Sequence, residues 1–438
     1  MTRIARRIRN RSGYGRSAKV VSGPNGRSAT SLRVLVVGAG VGGISVARGL
    51  LRDGHDVTVF EQRPDVHASG GAVTIWSNGE TVLRQLGVEM DGAGQLLSSV
   101  RVLTSKGRRL ATLDVTAMVD RLGAPVRMVP RRVLLDRLLE GFPADRIQCH
   151  CRAVRVVTVP NGMQLEFEDG SSTTGDLLIG ADGLHSMVRE VLSVQGAEPT
   201  GWCSWQGLVN LPDVVSDKRV AQVIIGEHGN TGLWPAGGCD VQWWFDLPWS
   251  HDFVRPQHPI QVIRSHFTGW SDSVDQVLAA LTDDDLAPSP FPHFRHPIPR
   301  EGRGALTLLG DAAHTMPPTL AQGTNQALLD TMVLGKALAG LRKGINSSSD
   351  FSHDVSNALR WYEKTRRRRL RAVSRVASLQ VSHGEAVLRP AALLSDRLHT
   401  WALTMLLRAT SHRRMSAQIS RGLAAATITP GCASGSAR

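Results

Sequence analysis

Short apolar runs alternate with amphipathic segments along most of this chain, a pattern typical of an α/β protein with a buried parallel sheet. Four runs have the length and branching of buried strands. The segments between them place apolar residues on one face of a helix. The predicted strands are Val34–Val37, Val57–Phe60, the run beginning at Asp176 and Ala305–Leu309, and the predicted helices are Val41 to about Arg52, one beginning at Arg131, Gly323–Leu341, Trp361–Leu379 and Ala391–Arg408.

The middle of the chain has a different pattern. Between residues 199 and 247, four or five short strands rich in tryptophan are separated by Gly and Pro, which predicts an antiparallel sheet. A hairpin is also predicted at Val100–Leu103 and Leu110–Leu113, turning at Lys106-Gly107. We expect an α/β fold: a Rossmann-like nucleotide-binding domain, an inserted antiparallel β-sheet domain and C-terminal helices. The predicted divisions are a disordered basic tail (1–30), the nucleotide-binding domain in two parts (31–198 and 299–380), the inserted sheet (199–298) and a C-terminal helical segment (381–438).

The first predicted strand ends in glycines that are suited to binding a dinucleotide. Gly38, Gly40 and Gly43 have G-x-G-x-x-G spacing, which allows a tight turn, close approach of a pyrophosphate and close packing of the next helix. That helix directs free N–H groups at the phosphates. Glu61 ends the second strand, where a carboxylate can accept hydrogen bonds from ribose hydroxyls. FAD and NAD both satisfy this motif.

Composition narrows the class of protein. The net charge of +13 belongs to the ends of the 438-residue chain, because residues 1–30 carry +8, residues 361–438 carry +11 and the remainder carries −6. A solvated tail is favoured over a nucleic-acid or membrane contact. Five scattered cysteines without zinc-like spacing predict reduced thiols and no metal site. These thiols fit a cytoplasmic protein best, and no apolar run approaches the ~20 residues of a membrane span, so an integral membrane protein is not expected.

Three separated motifs together resemble the single-component FAD-dependent aromatic hydroxylases, which include para-hydroxybenzoate, salicylate and urate hydroxylases. The first is the glycine motif with Glu61. The second is Gly175–Gly183 with Ser186 and Arg189, and the third is Gly310-Asp311-Ala312-Ala313-His314, continuing through Pro317, Pro318, Gly323 and Asn325. The resemblance covers about residues 31–380. Residues 201–208 look most like urate and salicylate hydroxylases, yet Pro199 and Thr200 stand near the position of an arginine in urate hydroxylases, so urate is not the expected substrate.

This resemblance implies bound FAD and a transient NAD(P)H. Asp311 can accept a hydrogen bond from a ribityl hydroxyl, and the helix after Gly323 directs its N–H groups at the flavin. His314 is a candidate proton relay, with a structural role as the alternative. The residues expected to bind cofactor are Gly38, Gly40, Gly42, Gly43, Glu61, Arg63, Arg131, Asp182, Gly310, Asp311, Gly323 and Asn325. The residues expected to line a substrate pocket are Trp202, Trp205, Trp234, Trp243 and Pro317, with core packing as the alternative for each tryptophan.

The implied function is an NAD(P)H-dependent monooxygenase that hydroxylates a small aromatic or other electron-rich compound with O2 through a flavin hydroperoxide. Tyr14 and Tyr362 are the only tyrosines, so a histidine, a peptide carbonyl or the substrate itself must provide the activation that a tyrosine provides in some relatives. Two alternatives stay open: a flavin-dependent reductase or dehydrogenase, and a non-catalytic FAD protein whose basic tails contact membrane or nucleic acid. A monomer and a homodimer both fit, and the segment Ala391–Arg408 is expected to pack on the body rather than on a membrane.

Overall fold

A computed structural model of the chain describes residues 31–411, apart from residues 69, 161, 193–194, 213, 215–216, 300–301, 340 and 342–347, and gives the backbone alone for residues 348–351 and 380–391. The predicted basic tail, residues 1–30, lies outside the described residues. No helix in the described ranges is long and apolar enough to cross a membrane.

The described chain contains the following helices and strands. The α-helices are α1 Val41–Arg52, α2 Ser77–Gln85, α3 Val115–Leu122, α4 Arg131–Leu139, α5 Met187–Val191, α6 Pro259–Phe267, α7 Asp272–Ala280, α8 Asp311–His314, α9 Gly323–Leu338, α10 Ser348–Ala391 and α11 Asp396–Thr410. The strands are β1 Arg33–Val37, β2 Asp56–Phe60, β3 Ala72–Ile75, β4 Gln95–Leu96, β5 Ser99–Thr104, β6 Arg109–Asp114, β7 Arg127–Pro130, β8 Ile147–Gln148, β9 Ala153–Val159, β10 Gly162–Phe167, β11 Ser172–Gly175, β12 Leu177–Gly180, β13 Glu198–Asn210, β14 Val220–Ile225, β15 Asn230–Gly237, β16 Asp240–Pro248, β17 Phe291–Arg295 and β18 Leu306–Leu308.

A five-stranded parallel sheet forms the centre of the first layer, with strand order β18-β12-β1-β2-β8. The predicted apolar runs supply four of its five strands, β18, β12, β1 and β2, and most of their residues are buried. Helices α1 and α9 pack together and contribute to the same hydrophobic core as the sheet. The two carry the glycine motif and the residues after Gly323, so the sheet brings together motifs that lie almost 300 positions apart.

The second layer is a mixed sheet of seven strands, ordered β17-β13-β16-β15-β14-β5-β6. All neighbouring strands in it are antiparallel except β14 and β5. The hairpin predicted near residues 100–113 is confirmed as β5 and β6, and it extends this sheet beyond residues 199–298. The predicted class, a Rossmann-like domain with a separate antiparallel sheet and C-terminal helices, is confirmed.

The two faces of the seven-stranded sheet have different neighbours. We call the outer face the one that carries Cys203, Trp205, Leu233, Trp243 and Phe245, which pack in one cluster with residues of α6 and α7. The inner face carries the side chains of opposite parity on the same strands. Residues of this face cluster with Ala72, Trp76 and Met128. The inner-face residues used below are Trp202, Ser204, Leu208, Trp234, Gln242, Trp244 and Asp246, together with His293 on β17.

The C-terminal helices differ from the prediction in their break point. α10 runs to Ala391 and includes the predicted segment Trp361–Leu379, whereas the next helix begins only at Asp396. Ser395 ends the connection because its hydroxyl accepts a hydrogen bond from Leu398 N and caps α11. Helix α11 packs against β6 and α3, which confirms packing on the body.

Candidate active site

The glycine turn between β1 and α1 has the shape that the sequence requires. Gly38 has φ of 101°, and a Cβ on it would lie 2.5 Å from the Ala181 carbonyl oxygen. A Cβ on Gly43 would lie 1.9 Å from the Gly38 oxygen, so only glycine allows α1 to begin this close to the strand. A Cβ on Gly40, by contrast, would meet nothing within 4 Å. Helix α1 has no side-chain cap, so its first N–H groups face open space that suits a pyrophosphate.

Glu61 follows β2 directly beside this turn. Its carboxylate accepts hydrogen bonds from Ala39 N (2.9 Å) and Arg63 N (3.0 Å). These contacts fix the carboxylate at the end of β2 while each oxygen keeps acceptor capacity for a hydroxyl. The guanidinium of Arg63 is exposed and donates to the His67 carbonyl at 3.4 Å. Gly42 packs against Leu309, since a Cβ there would lie 2.8 Å from Leu309 Cδ1.

Arg131 and Asp311 border a cleft farther along the same layer. Both side chains keep accessible surface. Burial nevertheless lowers the pKa of Arg131, and the charge of Asp311 counteracts that shift, so the guanidinium and this carboxylate interact. A Cβ on Gly323 would lie 3.9 Å from Asp311 Oδ1, which places the uncapped N-terminus of α9 beside this carboxylate. The cleft therefore combines a cation, a carboxylate and free N–H groups.

In the second motif, residues 175–189, the Asp182 carboxylate is engaged in hydrogen bonds within the protein. Asp182 Oδ1 accepts from Ser186 Oγ at 2.6 Å, and Asp182 Oδ2 accepts from Val188 N at 3.2 Å. Burial raises the pKa of Asp182, and the hydrogen bond from Ser186 counteracts that rise. Arg189 is buried and donates to the carbonyls of Ala312 (3.0 Å) and Ala313 (3.2 Å), which ties this motif to α8. Burial also lowers the pKa of Arg189 to about 10.

His314 lies in a buried ion-pair network beneath Gly310. Asp330 on α9 accepts from His314 Nε2 (2.5 Å), Gly310 N (2.9 Å) and Arg366 Nε (2.6 Å). His314, Asp330 and Arg366 are all at most 2% exposed. These contacts favour the structural alternative for His314 over the proton relay. Burial alone would raise the pKa of Asp330, but the charges of His314 and Arg366 hold it below its ordinary value.

Asn325 connects the start of α9 to the segment that precedes α2. Its Oδ1 accepts from Trp76 N (2.9 Å), and its Nδ2 donates to the carbonyls of Thr74 and Ala321 (both 2.9 Å). Its amide is thus used inside the protein, which makes Asn325 a residue that positions the cleft. Pro317 is buried just before a short 3-10 turn, Pro318–Leu320.

The predicted aromatic pocket is only partly supported by the sheet. Trp205 and Trp243 are 3% and 0% exposed and pack in the outer-face cluster, which favours core packing, the alternative that the sequence left open for them. The reason is strand alternation, which turns neighbouring side chains to opposite faces. Trp234 and the half-buried Trp202 lie on the inner face, as does Trp244, which the prediction missed.

Trp244 and Gln242 could have been found from the alternation of β16. Trp243 and Trp244 are adjacent on the strand and cannot share a face, and Gln242 has the parity of Trp244. Gln242 Oε1 accepts from Ala72 N, which joins the inner face to the segment beside Arg131. Arg131 N in turn donates to the Gly71 carbonyl at 3.1 Å. The inner face and the cleft therefore border the same region.

These features fit FAD. The open first turn of α1 and Glu61 suit the pyrophosphate and a ribose, whereas Asp311, Arg131 and the N-terminus of α9 suit the ribityl chain and the ring. Among the described residues, no group of His, Cys, Asp and Glu could hold a metal ion.

Comparison with known proteins gives consistent results. The model of the FAD binding domain family matches residues 31–376. The chain is 30% identical over 349 residues to the FAD-dependent urate hydroxylase of Klebsiella pneumoniae subsp. pneumoniae, covering 78% of this chain and 87% of the relative. It is 32% identical over 313 residues to the 3-amino-4-hydroxybenzoate 2-monooxygenase of Streptomyces cremeus, covering 69% and 77%.

A solved structure shows the same architecture. The crystal structure of Klebsiella pneumoniae HpxO complexed with FAD and uric acid matches with a TM-score of 0.77 and 26% identity, covering 87% of this chain and 97% of the other. The family match spans most of the chain, and the relatives are FAD-dependent hydroxylases and monooxygenases. The chain belongs to the FAD binding domain family, and it is an FAD-dependent monooxygenase of the single-component aromatic hydroxylase group.

Proposed function

We propose that the chain hydroxylates a small planar aromatic or heteroaromatic compound, held between the inner face of the seven-stranded sheet and the cleft of Arg131 and Asp311. The curated relatives act on urate and on 3-amino-4-hydroxybenzoate, which are both planar and carry ionisable groups. FAD supplies the redox chemistry when bound, carrying electrons from NAD(P)H to O2. The protein residues provide binding, orientation and exclusion of water.

One observation carries this proposal: two tryptophans line the inner face where it meets the cleft. The rings of Trp234 and Trp244 are 6.0 Å apart between centroids. The Trp244 ring lies over Gly232, where a Cβ would come within 2.0 Å of it. The ring therefore lies close to the sheet and presents a flat surface. Flat aromatic walls suit a flat ring, because stacked and tilted aromatic pairs are favourable beyond their buried area.

Different residues would bind different parts of FAD. In this proposal Gly40, Gly42 and Gly43 with the start of α1 bind the pyrophosphate, and Glu61 binds the adenosine ribose. Asp311 accepts a hydrogen bond from the ribityl chain. Gly323 and the first N–H groups of α9 stabilise negative charge on the ring, as a helix N-terminus does. Asp182, Asn325 and Arg189 hold these segments in place.

A substrate screen tests the proposal. Purified, FAD-loaded protein is given NADH or NADPH and a panel of hydroxylated and amino-substituted aromatic acids, pyridines and purines. We expect at least one compound to stimulate O2 consumption and yield a product heavier by one oxygen atom. If NAD(P)H oxidation by the whole panel gives hydrogen peroxide alone, the proposed substrate class is wrong.

Two matched variants test whether the tryptophan surface of the inner face binds the substrate. Trp244→Phe removes part of the inner-face surface, so we expect KM to rise roughly fivefold, as for a loss of about 1 kcal/mol of aromatic contact. Trp205→Phe makes the same change on the outer face and is expected to leave KM unchanged. Equal effects from the two variants would contradict the assignment of the inner face.

A further inference from the structure

Three polar side chains form a buried cluster on the inner face. They are Ser204 on β13, Asp246 opposite it on β16, and His293 on the edge strand β17. Ser204 Oγ contacts Asp246 Oδ1 and lies 2.6 Å from His293 Nε2. His293 is 1% exposed, Ser204 4% and Asp246 8%. The three groups therefore exchange hydrogen bonds in a setting that water barely reaches.

When Asp246 is ionised, the hydrogen bonds fix the position of each proton. A serine hydroxyl has one hydrogen, and Ser204 donates it to the carboxylate of Asp246. Ser204 Oγ must then accept from His293, which places the imidazole hydrogen on Nε2. The neutral ring consequently presents Nδ1 as a bare acceptor, and this buried atom has no hydrogen-bond partner. An unsatisfied buried acceptor costs about 1–3 kcal/mol, so a ligand that donates a hydrogen bond there is favoured.

The cluster is poised to gain or lose one proton near neutral pH. Burial raises the pKa of Asp246 to about 7, although the hydrogen bond from Ser204 counteracts that rise. Burial lowers the pKa of His293 to about 4, so the ring alone stays neutral. A proton entering at His293 is therefore held on Asp246, at the other end of the hydrogen-bonded chain.

The other titratable groups near the cluster do not change these protonation states. On the outer side of β13, burial and the charge of Asp246 raise the pKa of the Cys203 thiol to about 12, so it stays protonated. At the exposed end of β17, Arg295 is paired with Glu198 at 3.0 Å. His296 Nδ1 contacts the Asp311 carbonyl, and the pKa of this ring is lowered by burial first and then by Arg189, with smaller contributions from His314 and His185. His293 Nε2 lies 3.8 Å from Asp246 Oδ1, a contact that becomes an ion pair only when the ring is protonated.

We propose that His293, Ser204 and Asp246 form a proton-transfer relay that accepts the proton of an O–H or N–H group on the substrate ring. The substrate X–H bond breaks and its proton binds His293 Nδ1. The Nε2 proton moves to Ser204 Oγ, and the proton of Ser204 moves to the Asp246 carboxylate. No electrons are transferred: the substrate becomes an anion and the relay becomes neutral.

This inference rests on the proposed function and narrows its substrate class to rings that carry an ionisable O–H or N–H group. Loss of the proton makes such a ring richer in electrons and so a better acceptor of an oxygen atom. The relay would take the role that a tyrosine has in some relatives. Tyr362, the tyrosine of the described chain, cannot take that role, because its hydroxyl is buried and donates to the Leu308 carbonyl at 3.1 Å.

Nitrogen NMR of the FAD-loaded, histidine-labelled protein tests the relay without any turnover. We expect the His293 resonances, assigned by their loss in His293→Gln, to show hydrogen on Nε2 and to titrate near pH 7 as Asp246 ionises. Asp246→Asn should abolish that titration. The control Thr231→Val removes a buried hydrogen bond to the Trp244 carbonyl from the same sheet and should preserve it. A His293 ring that does not respond to pH or to Asp246→Asn overturns the proposal.

A phenol probe tests the proton transfer itself. Bound 4-nitrophenol should pass its proton to Asp246 and not to solvent, so phenolate absorbance near pH 7 should appear without matching proton release, whereas Asp246→Asn and Ser204→Ala should each release one proton for every phenolate formed. Binding of 4-nitroanisole, which has no O–H group, should be unchanged in both variants. Neutral bound phenol in the wild type refutes the relay. A substrate panel that gives no hydroxylated product while both relay tests succeed instead refutes the proposed function.

Discussion

Replacing Asp330 with Asn should weaken the protein far more than the same change at Asp246, although both carboxyl groups are buried. Asp330 is fully buried and accepts three hydrogen bonds, one of them from Arg366, which is 2% exposed. Removing one partner of a buried ion pair costs about 3–5 kcal/mol, since the other charge stays buried without compensation. Arg366 also donates to the side chain and carbonyl of Gln326, so we expect a value near the lower end, about 3 kcal/mol.

The pKa of Asp246 is shifted by burial without a neighbouring cation to oppose it. Its ionised form therefore destabilises the folded protein, whereas the ionised form of Asp330 stabilises it. The pKa of Asp246 rises from 3.8 to about 7 on folding, so the stability that it contributes is present below pH 3.8 and is lost as pH rises to 7. At pH 8 the cost of its ionised form amounts to about 4 kcal/mol at most. Asp246→Asn should therefore leave stability unchanged or raise it at pH 8, and should have a smaller advantage at pH 5.

Urea unfolding of the FAD-loaded variants, followed by circular dichroism at pH 5 and pH 8, measures both effects. The comparison requires equal free FAD, because bound ligand itself adds stability. The reasoning is refuted if Asp330→Asn loses less than about 1 kcal/mol, well below the cost of a broken buried pair. It is also refuted if Asp246→Asn at pH 8 loses as much stability as Asp330→Asn.

Three further outcomes are expected. Gly43→Ala should abolish FAD binding and destabilise the fold, because the added Cβ would overlap the Gly38 oxygen at 1.9 Å. Gly40→Ala should fold normally and bind FAD more weakly, because its Cβ meets no protein atom within 4 Å. Flavin fluorescence and thermal unfolding of each variant separate the two cases. Glu61→Gln should weaken FAD binding about tenfold in calorimetry, as for the loss of one charge-assisted hydrogen bond, and wild-type affinity would exclude this role. Burial lowers the pKa of His296 to about 4, so as the pH falls the unfolded chain takes up a proton before the folded protein does. The free energy of unfolding should therefore fall by up to about 3 kcal/mol between pH 6.5 and pH 4. His296→Gln should weaken this pH dependence in urea unfolding, and an unchanged pH dependence would show that His296 does not cause it.

The sequence was most informative where structure depends on short-range pattern. The turn at Gly38–Gly43 and the boundaries of α1 follow from glycine spacing and apolar periodicity, and the structure matches them within a residue. The hairpin near Lys106 was predicted equally well. Its pairing with β14 was not, because strands separated by about 120 positions carry no local mark of their partner.

The pocket was predicted less well for two physical reasons. The abundance of tryptophan in β13, β15 and β16 predicts an aromatic sheet but not which face each ring occupies, and alternation sends Trp205 and Trp243 to the outer face. The polar residues that matter, such as Asp246 and His293, look unremarkable in sequence, since their significance comes from burial and from contact across strands. A strict reading of alternation would have assigned the tryptophans correctly, but not the hydrogen-bonded cluster.

Titration of the flavin-free protein with FAD tests the central claim most directly, namely that separate segments of this chain form one cofactor cleft. Quenching of flavin fluorescence should saturate at one FAD per chain and restore the visible spectrum of a bound flavin. A protein that is well folded by circular dichroism yet fails to bind FAD would contradict the account.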